Sequence, residues 1–484
     1  MINNTSNKIS KATMWSSITE LMAKLVTPLV NIVLARLLMP EAFGVVATIT
    51  LVISFAEVFT DAGFQKYLIQ HEFESEDALN KSTNVAFWTN LSVSALACVI
   101  VFVFRNPIAE LVGNPQLGIP ISIASILILF HAFSSIQMAR YKRDFDFKTL
   151  FFVRIITVLI PIVVTIPLAI VLRNYWALLI GSFASQFFCS VALIWKSKWK
   201  IKFYYSFSLF KEMFSFTAWT LLEQVSIWLT SNIDIFIISK FLSDYYLGLY
   251  KTSMSTISSY MGLITSAVIP VLFSALSRCQ NEDDKFKSTY YTFQRLTAVL
   301  VVPMGIGIFI FSDLVTLILL GENWMEASGF IGWWGITGAF SIIFSHFSSE
   351  VIRSKGKPII SFFIQISQLL VLVPVLIWCK SGSFDTIYIS RSLVRFELMT
   401  AALIVMRVCF GFKFIDVFKN IFPIIVSSVF MGGVALLLQQ IGESILWQLI
   451  SIVICVIAYF SCLMLFPKMR VEAIRGVKRV LHKG

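Results

Sequence analysis

The length of its apolar runs limits what this chain can fold into more than any other feature. An α-helix rises 1.5 Å per residue, so about 20 consecutive apolar residues cross the roughly 30 Å hydrocarbon core of a bilayer. Runs of that length recur through all 484 residues: about 15–38, 42–63, 84–104, 116–138, 150–172, 175–195, 214–238, 247–270, 296–319, 328–349, 359–379, 386–408, 421–439 and 445–466. Hydrophobic residues make up 57% of the sequence. Only 14% are charged, against about 25% in an ordinary soluble domain. In lipid the backbone must satisfy its own hydrogen bonds, which a helix does within one segment. The expected fold class is therefore all-α integral membrane, with about 14 transmembrane helices.

A net charge of +12 would suggest a nucleic-acid partner for a soluble protein, but its placement argues otherwise. With the N-terminus in the cytoplasm, 28 lysines and arginines fall in the connections and tail on that side. The opposite side receives only Arg36, Arg105, Arg173, Lys240 and Lys380. This asymmetry is the positive-inside pattern, and it predicts a multi-pass protein with both termini cytoplasmic. The opening "MINNTSNKISKATMWSS" lacks the compact apolar core and small-residue cleavage site of a signal peptide. Seven cysteines and four histidines are scattered without metal or redox spacing, so neither metal nor cofactor is expected.

The sequence also repeats. Arg36, Leu38 and Gly44 in "LARLLMPEAFGVVA" match Lys240, Leu242 and Gly248 at an offset of 204, and Trp15 matches Trp219. Gly113 matches Gly321 at 208, and Arg140 matches Arg353 at 213. Ordered landmarks with slowly growing offsets predict a duplication. Six spans separate the copies, an even number, so both have the same orientation, as in parallel-repeat transporters. The repeated corner reads as a basic helix end, a chain-breaking Pro40 and a glycine that lets the next helix start tightly.

Several stretches, "LARLLMPEAFGVVA", "FTDAGFQKYLIQHE", "RDFDFKTL", "YWALLIGSFASQF", "NIDIFIISKFLSDYYLGLYKTSM" and "LLGENWMEA", occur in order across residues 15 to 335. Together they resemble the polysaccharide transporter family of bacterial Wzx-type flippases, near its colanic acid and teichuronic acid exporter branch. The resemblance implies the fold of the multidrug/oligosaccharidyl-lipid/polysaccharide exporter superfamily: two six-helix bundles in a pseudo-two-fold V around a central cavity, plus two C-terminal helices. On this sequence the bundles would be 1–200 and 201–410, followed by two further helices over 411–466 and a basic cytoplasmic tail over 467–484. The implied task is moving undecaprenyl-pyrophosphate-linked oligosaccharide repeat units from the cytoplasmic to the periplasmic leaflet of a bacterial inner membrane, for O-antigen, capsule or exopolysaccharide synthesis. A polysaccharide polymerase and a chain-length regulator are the implied protein partners.

A charged glycan cannot enter hydrocarbon without losing its water, so ionisable residues within spans are the candidates for its path. Glu20 and Lys24 share a face of the first helix; either Lys24 meets an anionic substrate or the two form a neutral packed pair. Glu57 and Asp61 repeat that spacing with like charges. They would share a proton or a cation, as sodium or proton coupling needs, unless Asp61 is simply hydrated at the helix end. Glu223 and Asp234 return to nearly one face after three turns and would line the second half's wall, unless Asp234 pairs with Lys240. Arg391 and Arg395 share a face of the twelfth span, Arg395 about 14 Å in, and arginine suits bidentate contact with phosphate. Arg391 can instead snorkel to the interface, as Arg154, Lys251 and Arg295 are expected to do.

Tryptophans near span ends, Trp176, Trp195, Trp199, Trp324 and Trp447, read as an interfacial belt; Trp333 and Trp334 read as anchors too, with stacking on a sugar ring as the alternative. The basic tail alternates charged and apolar residues, as a segment lying on an anionic leaflet would. Other functions fit less well. No G-x-x-x-x-G-K-[ST] loop for ATP occurs. Connections of at most about twenty residues leave no room for a catalytic domain, so the chain is not expected to be an enzyme. The alternative on the same fold is an ion-coupled exporter of organic cations.

Overall fold

The computed structural model describes residues 2–60, 63–197, 199–467 and 469–471, and every regular element among them is helical. The long helices are α1 Ile2–Leu37, α2 Pro40–Thr60, α3 Glu76–Val103, α4 Pro115–Arg143, α5 Phe147–Leu172, α6 Tyr175–Lys196 and α7 Phe207–Ile238. They continue with α8 Asp244–Arg278, α9 Asp283–Ile310, α10 Glu322–Ser354, α11 Pro358–Trp378, α12 Phe384–Phe410, α13 Phe414–Gln439 and α14 Ile445–Met464. Thirteen of these helices are long and apolar enough to cross a bilayer. The other is α12, whose five charges, Asp385, Arg391, Arg395, Glu397 and Arg407, set it apart.

Local sequence accounts for the ends. Ser75, Asn174, Ser206, Ser383 and Ser444 precede α3, α6, α7, α12 and α14, and each accepts a hydrogen bond from a backbone N–H of the first turn. Pro40 opens α2, where its missing N–H costs nothing, and Arg36 stands in the last turn of α1, where the dipole favours a cation. Prolines 28, 270, 303, 374 and 423 lie inside helices. Two helices carry a π-turn, Pro161–Thr165 in α5 and Ile342–His346 in α10.

One boundary differs instructively from hydropathy. The run expected at 296–319 is split: α9 starts earlier, at Asp283, and stops at Ile310, and residues Ser312–Leu319 form a separate short helix. Polar residues through the first half of α9 hide its true length from a hydropathy count, and two of them, Gln294 and Arg295, are buried.

The chain divides into two compact units, one ending at Lys251 and the other starting at Thr252. In the first, α1 packs on α5, α4 on α3 and α6, and α7 along α2. In the second, α9 packs on α10 and α13, α12 on α10 and α11, and α14 on α13.

Within the first unit the repeated corner meets its own equivalent. A Cβ built on Gly44 would lie 1.8 Å from the Asp244 carbonyl oxygen, and one on Gly248 would lie 1.9 Å from the Pro40 carbonyl oxygen. Pro40 and Asp244 are 204 apart, as are Gly44 and Gly248. The starts of α2 and α8 therefore cross with local two-fold symmetry, at a distance only glycine permits. Asn114 Nδ2 fastens the same corner by donating to Asp244 Oδ2 at 2.6 Å. Gly113 and Gly321, the second repeat landmark, both hold positive φ, +84° and +100°.

Candidate functional site

In the second unit, α12 and α10 build a charged site within the helix bundle. Arg395 lies eleven residues beyond Phe384, about 16 Å along α12. Its guanidinium carbon sits 3.2 Å from the centre of the Trp334 ring, and Nη1 donates to the Trp334 carbonyl at 3.1 Å and to Thr337 Oγ1 at 3.4 Å. Arg391, one turn earlier, is 7% exposed and stands 5.1 Å from the same ring. Both arginines thus share one indole, a cation–π arrangement that strengthens as water is removed. The Trp334 ring is held in turn by its own Nε1, which donates to Ser258 Oγ at 3.3 Å.

These groups border a cavity of about 90 Å³ whose wall includes Ser258, Thr265, Ser341, His346 and Arg395. The π-turn of α10 ends at His346, and small residues face the arginine: a Cβ on Gly338 would lie 3.1 Å from Arg395 Nη1. A fixed guanidinium, an imidazole and three hydroxyls in one wall suit an anion bearing hydroxyl groups. The space itself is smaller than the roughly 300 Å³ or more of a drug-sized ligand pocket, so it admits a phosphate-sized group rather than an oligosaccharide.

The other sequence candidates lie in the first unit. Lys24 is half-buried on α1 and Glu20, one turn before it, is exposed. Glu57 is half-buried on α2; its neighbour Asp61 lies outside the described residues, as does the side chain of Glu223. Asp234 is 1% exposed on α7 and accepts a hydrogen bond from Tyr250 Oη of α8 at 3.0 Å. Lys240 instead has its ammonium 4.4 Å above the Phe236 ring. Lys251, next to Tyr250, is half-buried on α8. The structure thus joins Asp234 to α8, and it gathers Arg391 and Arg395 around one ring.

Several expectations need correction. Arg295 does not snorkel: it is 8% exposed and donates to Asn420 Oδ1 of α13, whose Nδ2 donates to the Tyr291 carbonyl at 2.7 Å and to Gln294 Oε1 at 3.1 Å. Trp199, Trp324 and Trp334 are 6%, 0% and 2% exposed, so they are core residues rather than belt anchors, whereas Trp195 is 84% exposed. Glu397 was missed; Ser367 Oγ donates to its Oε1 at 2.9 Å, which ties α12 to α11. The signal for it was the clustering of charge within one apolar run.

The model of a family described as "Polysaccharide biosynthesis protein" matches residues 33–329, more than half of the chain. The chain belongs to this family. Among its relatives, the succinoglycan biosynthesis transport protein ExoT of Rhizobium meliloti (strain 1021) is 24% identical over 300 residues, 62% of this chain and 60% of that one. The teichuronic acid biosynthesis protein TuaB of Bacillus subtilis (strain 168) is 22% identical over 311 residues, 64% and 63% of the two chains. The match thus spans less than two thirds of either relative's length. Among solved structures, the lipid II flippase MurJ in an inward closed conformation covers 95% of this chain and 100% of its own, with a TM-score of 0.75 at 15% identity. An inward-facing multidrug resistance transporter of the MATE family and MOP superfamily follows at 0.59, covering 85% and 98% at 13% identity. This polysaccharide biosynthesis protein therefore has the fold of that superfamily.

Proposed function

We propose that the protein is a flippase for undecaprenyl-pyrophosphate-linked oligosaccharide repeat units, moving them from the cytoplasmic to the periplasmic leaflet of the inner membrane. The observation that carries this reading is the arginine pair held on Trp334 deep in an apolar helix bundle. Charges at that depth are costly and mark a path for a charged cargo. A diphosphate head group is an anion that a lipid-linked glycan would bring across, and the names of the relatives, one a transport protein and both of polysaccharide biosynthesis, support a glycan cargo. The protein acts as a transporter, not an enzyme.

On this reading the bundles are 1–200 and 201–410, residues 411–466 add two helices, the basic tail from 467 lies on the cytoplasmic leaflet, and both termini are cytoplasmic. An inside-negative potential favours export of an anion by about 2.3 kcal/mol per charge per 100 mV. Coupling to protons or sodium through Glu57, Asp61, Glu223 and Asp234 supplies any remainder, and a polymerase and chain-length regulator take up the product. Replacing each acid by its amide should change the ion dependence of transport; unchanged dependence in all four removes coupling from the scheme.

The test is transfer in liposomes that carry a fluorescent undecaprenyl-pyrophosphate oligosaccharide, read as the rate at which inner-leaflet glycan becomes accessible to added glycosidase. Acceleration by the wild type, and a loss of tenfold or more in Arg395→Gln, is the expected result. No acceleration, together with efflux of an organic cation, would assign the chain to the drug-exporter reading that the MATE likeness permits.

A further inference from the structure

The first unit contains a second and larger polar cavity, of about 960 Å³, where the start of α3, the end of α4 and the α6–α7 connection meet. Five basic and three acidic residues line it, so its field favours an anion. Two of the basic groups are committed to structure. Arg143 Nη1 donates to the carbonyls of Leu68 and His71, both at 2.7 Å, and so closes the C-terminal end of the short helix Phe64–Gln70. Lys81 is paired with Asp77 at 2.7 Å.

Arg140 is different. It is 8% exposed, and neither Nε nor Nη1 has a hydrogen-bond partner among the described residues. Its nearest acid is Glu76, whose Oε2 lies 3.7 Å from Nη2, too far for a hydrogen bond, and Glu76 is itself 82% exposed. Trp199, 6% exposed, lines the same cavity with its Nε1 unpartnered, and Asn80 Oδ1 is an unpartnered buried acceptor there. Buried polar groups are nearly always satisfied, and a charged donor more than most. Three unused donors and one unused acceptor around one basic cavity describe a binding site for a ligand with anionic oxygens and hydroxyls.

We propose that this cavity receives the diphosphate and first sugar of a lipid-linked glycan before the glycan enters the membrane path. Arg140, Trp199 and the exposed Lys200 and Lys202 take the phosphate oxygens, Asn80 Oδ1 accepts from a sugar hydroxyl, and Tyr204 offers a ring face. Around the same connection Trp195, Phe203 and Phe207 are 84%, 88% and 72% exposed, as aromatic side chains are at a lipid–water interface. The mouth therefore opens at head-group level, which favours a membrane-borne diphosphate over a soluble nucleotide sugar of the same chemistry. The proposal rests on the flippase reading above and adds a docking position that reading does not need.

Binding separates the two. The full chain in nanodiscs of neutral phospholipid is titrated by calorimetry with a short-chain isoprenyl-diphosphate disaccharide, with a uridine diphosphate sugar, and with added phosphatidylglycerol. The isoprenyl compound should bind, tenfold or more weakly in Arg140→Lys, about threefold more weakly in Trp199→Phe and in Lys200→Ala/Lys202→Ala, and no more weakly in Glu76→Gln. Circular dichroism melts of Arg140→Lys and Trp199→Phe establish that both are folded. Equal affinity in Arg140→Lys and wild type overturns the site. Equal binding of the nucleotide sugar, with the same dependence on Arg140, overturns its membrane-borne assignment. Full competition by phosphatidylglycerol reduces it to a lipid head-group contact and overturns it too. Wild-type binding without transport in liposomes would sink the flippase reading while leaving the site; transport at full rate in an Arg140→Lys protein of unchanged affinity would do the reverse.

Discussion

Arg140 and Arg353 hold matching places in the repeat, yet the two copies bury opposite partners. In the first, the arginine side chain is 9% exposed and that of Glu76 82%, 3.7 Å apart. In the second, Arg353 is 62% exposed and Glu350 only 7%, at 3.1 Å. Whichever member is buried depends on the other to offset its lost hydration. A buried acid met by a hydrogen-bonded arginine is satisfied, whereas a buried arginine with unused donors is not. A duplicated position has thus become a closed contact in one copy and an open demand for an anion in the other.

The comparison presumes that the copies are related, and the glycine crossing tests that presumption with the largest effect. Gly44→Val and Gly248→Val each force a side chain into a backbone carbonyl on the facing helix, so each should cost about 3 kcal/mol or more, by an overpacking that backbone cannot relieve. Thermal unfolding in detergent should show similar losses for the two, and little for Gly307→Ala, where an added Cβ meets nothing within 4 Å. Unequal losses would break the symmetry argument.

The next effect sharpens the contrast itself. Arg353→Met strips a buried carboxylate of its partner and should cost about 1–2 kcal/mol. Arg140→Met removes the buried charge, keeps the stem's volume and leaves only a solvated Glu76, so its stability should stay within about 0.5 kcal/mol of the parent. Chemical denaturation of both variants in the same micelle decides it; the opposite ranking would mean that Arg140 is a structural ion pair.

The smallest effect checks that the surroundings of Arg140 are held by other residues. Tyr67 Oη donates to Glu212 Oε1 at 2.8 Å, and Tyr67→Phe should cost about 1 kcal/mol. Burial first, then the Glu212 carboxylate, raises the Tyr67 pKa above its ordinary 10.0. Its contribution is therefore complete from above the carboxylate range up to about pH 10 and is lost as the pH rises through the folded value. A stability difference between the parent and the Tyr67→Phe variant that already disappears at pH 8 would contradict that order.

Much of the architecture was legible because apolar length is additive along a chain: each run announces its helix without reference to the others. Arg395 was legible too, as a charge too deep in a run to reach water. What the sequence concealed depends on pairs of helices. Nothing in α9 alone says that Arg295 meets Asn420, so a buried network read as a solvated helix start. Trp334 sits near the start of its run, which made it resemble an interfacial anchor until Arg395 was seen above it. The unused donors of Arg140 and Trp199 belong to a cavity assembled from three segments, and no spacing within one of them foretells it.

The crossing of Gly44 with Gly248 also bears on descent. Two equivalent positions that touch flank the local two-fold axis relating them, where the copies approach it most closely. In a homodimer of the unduplicated unit, that residue would have packed against its own copy, and one mutation would have been felt twice at a single point. If the copies arose by fusion, the two glycines gained separate codons without separate fates: each still sets the room available to the other, so the pair should be retained or exchanged together through later divergence.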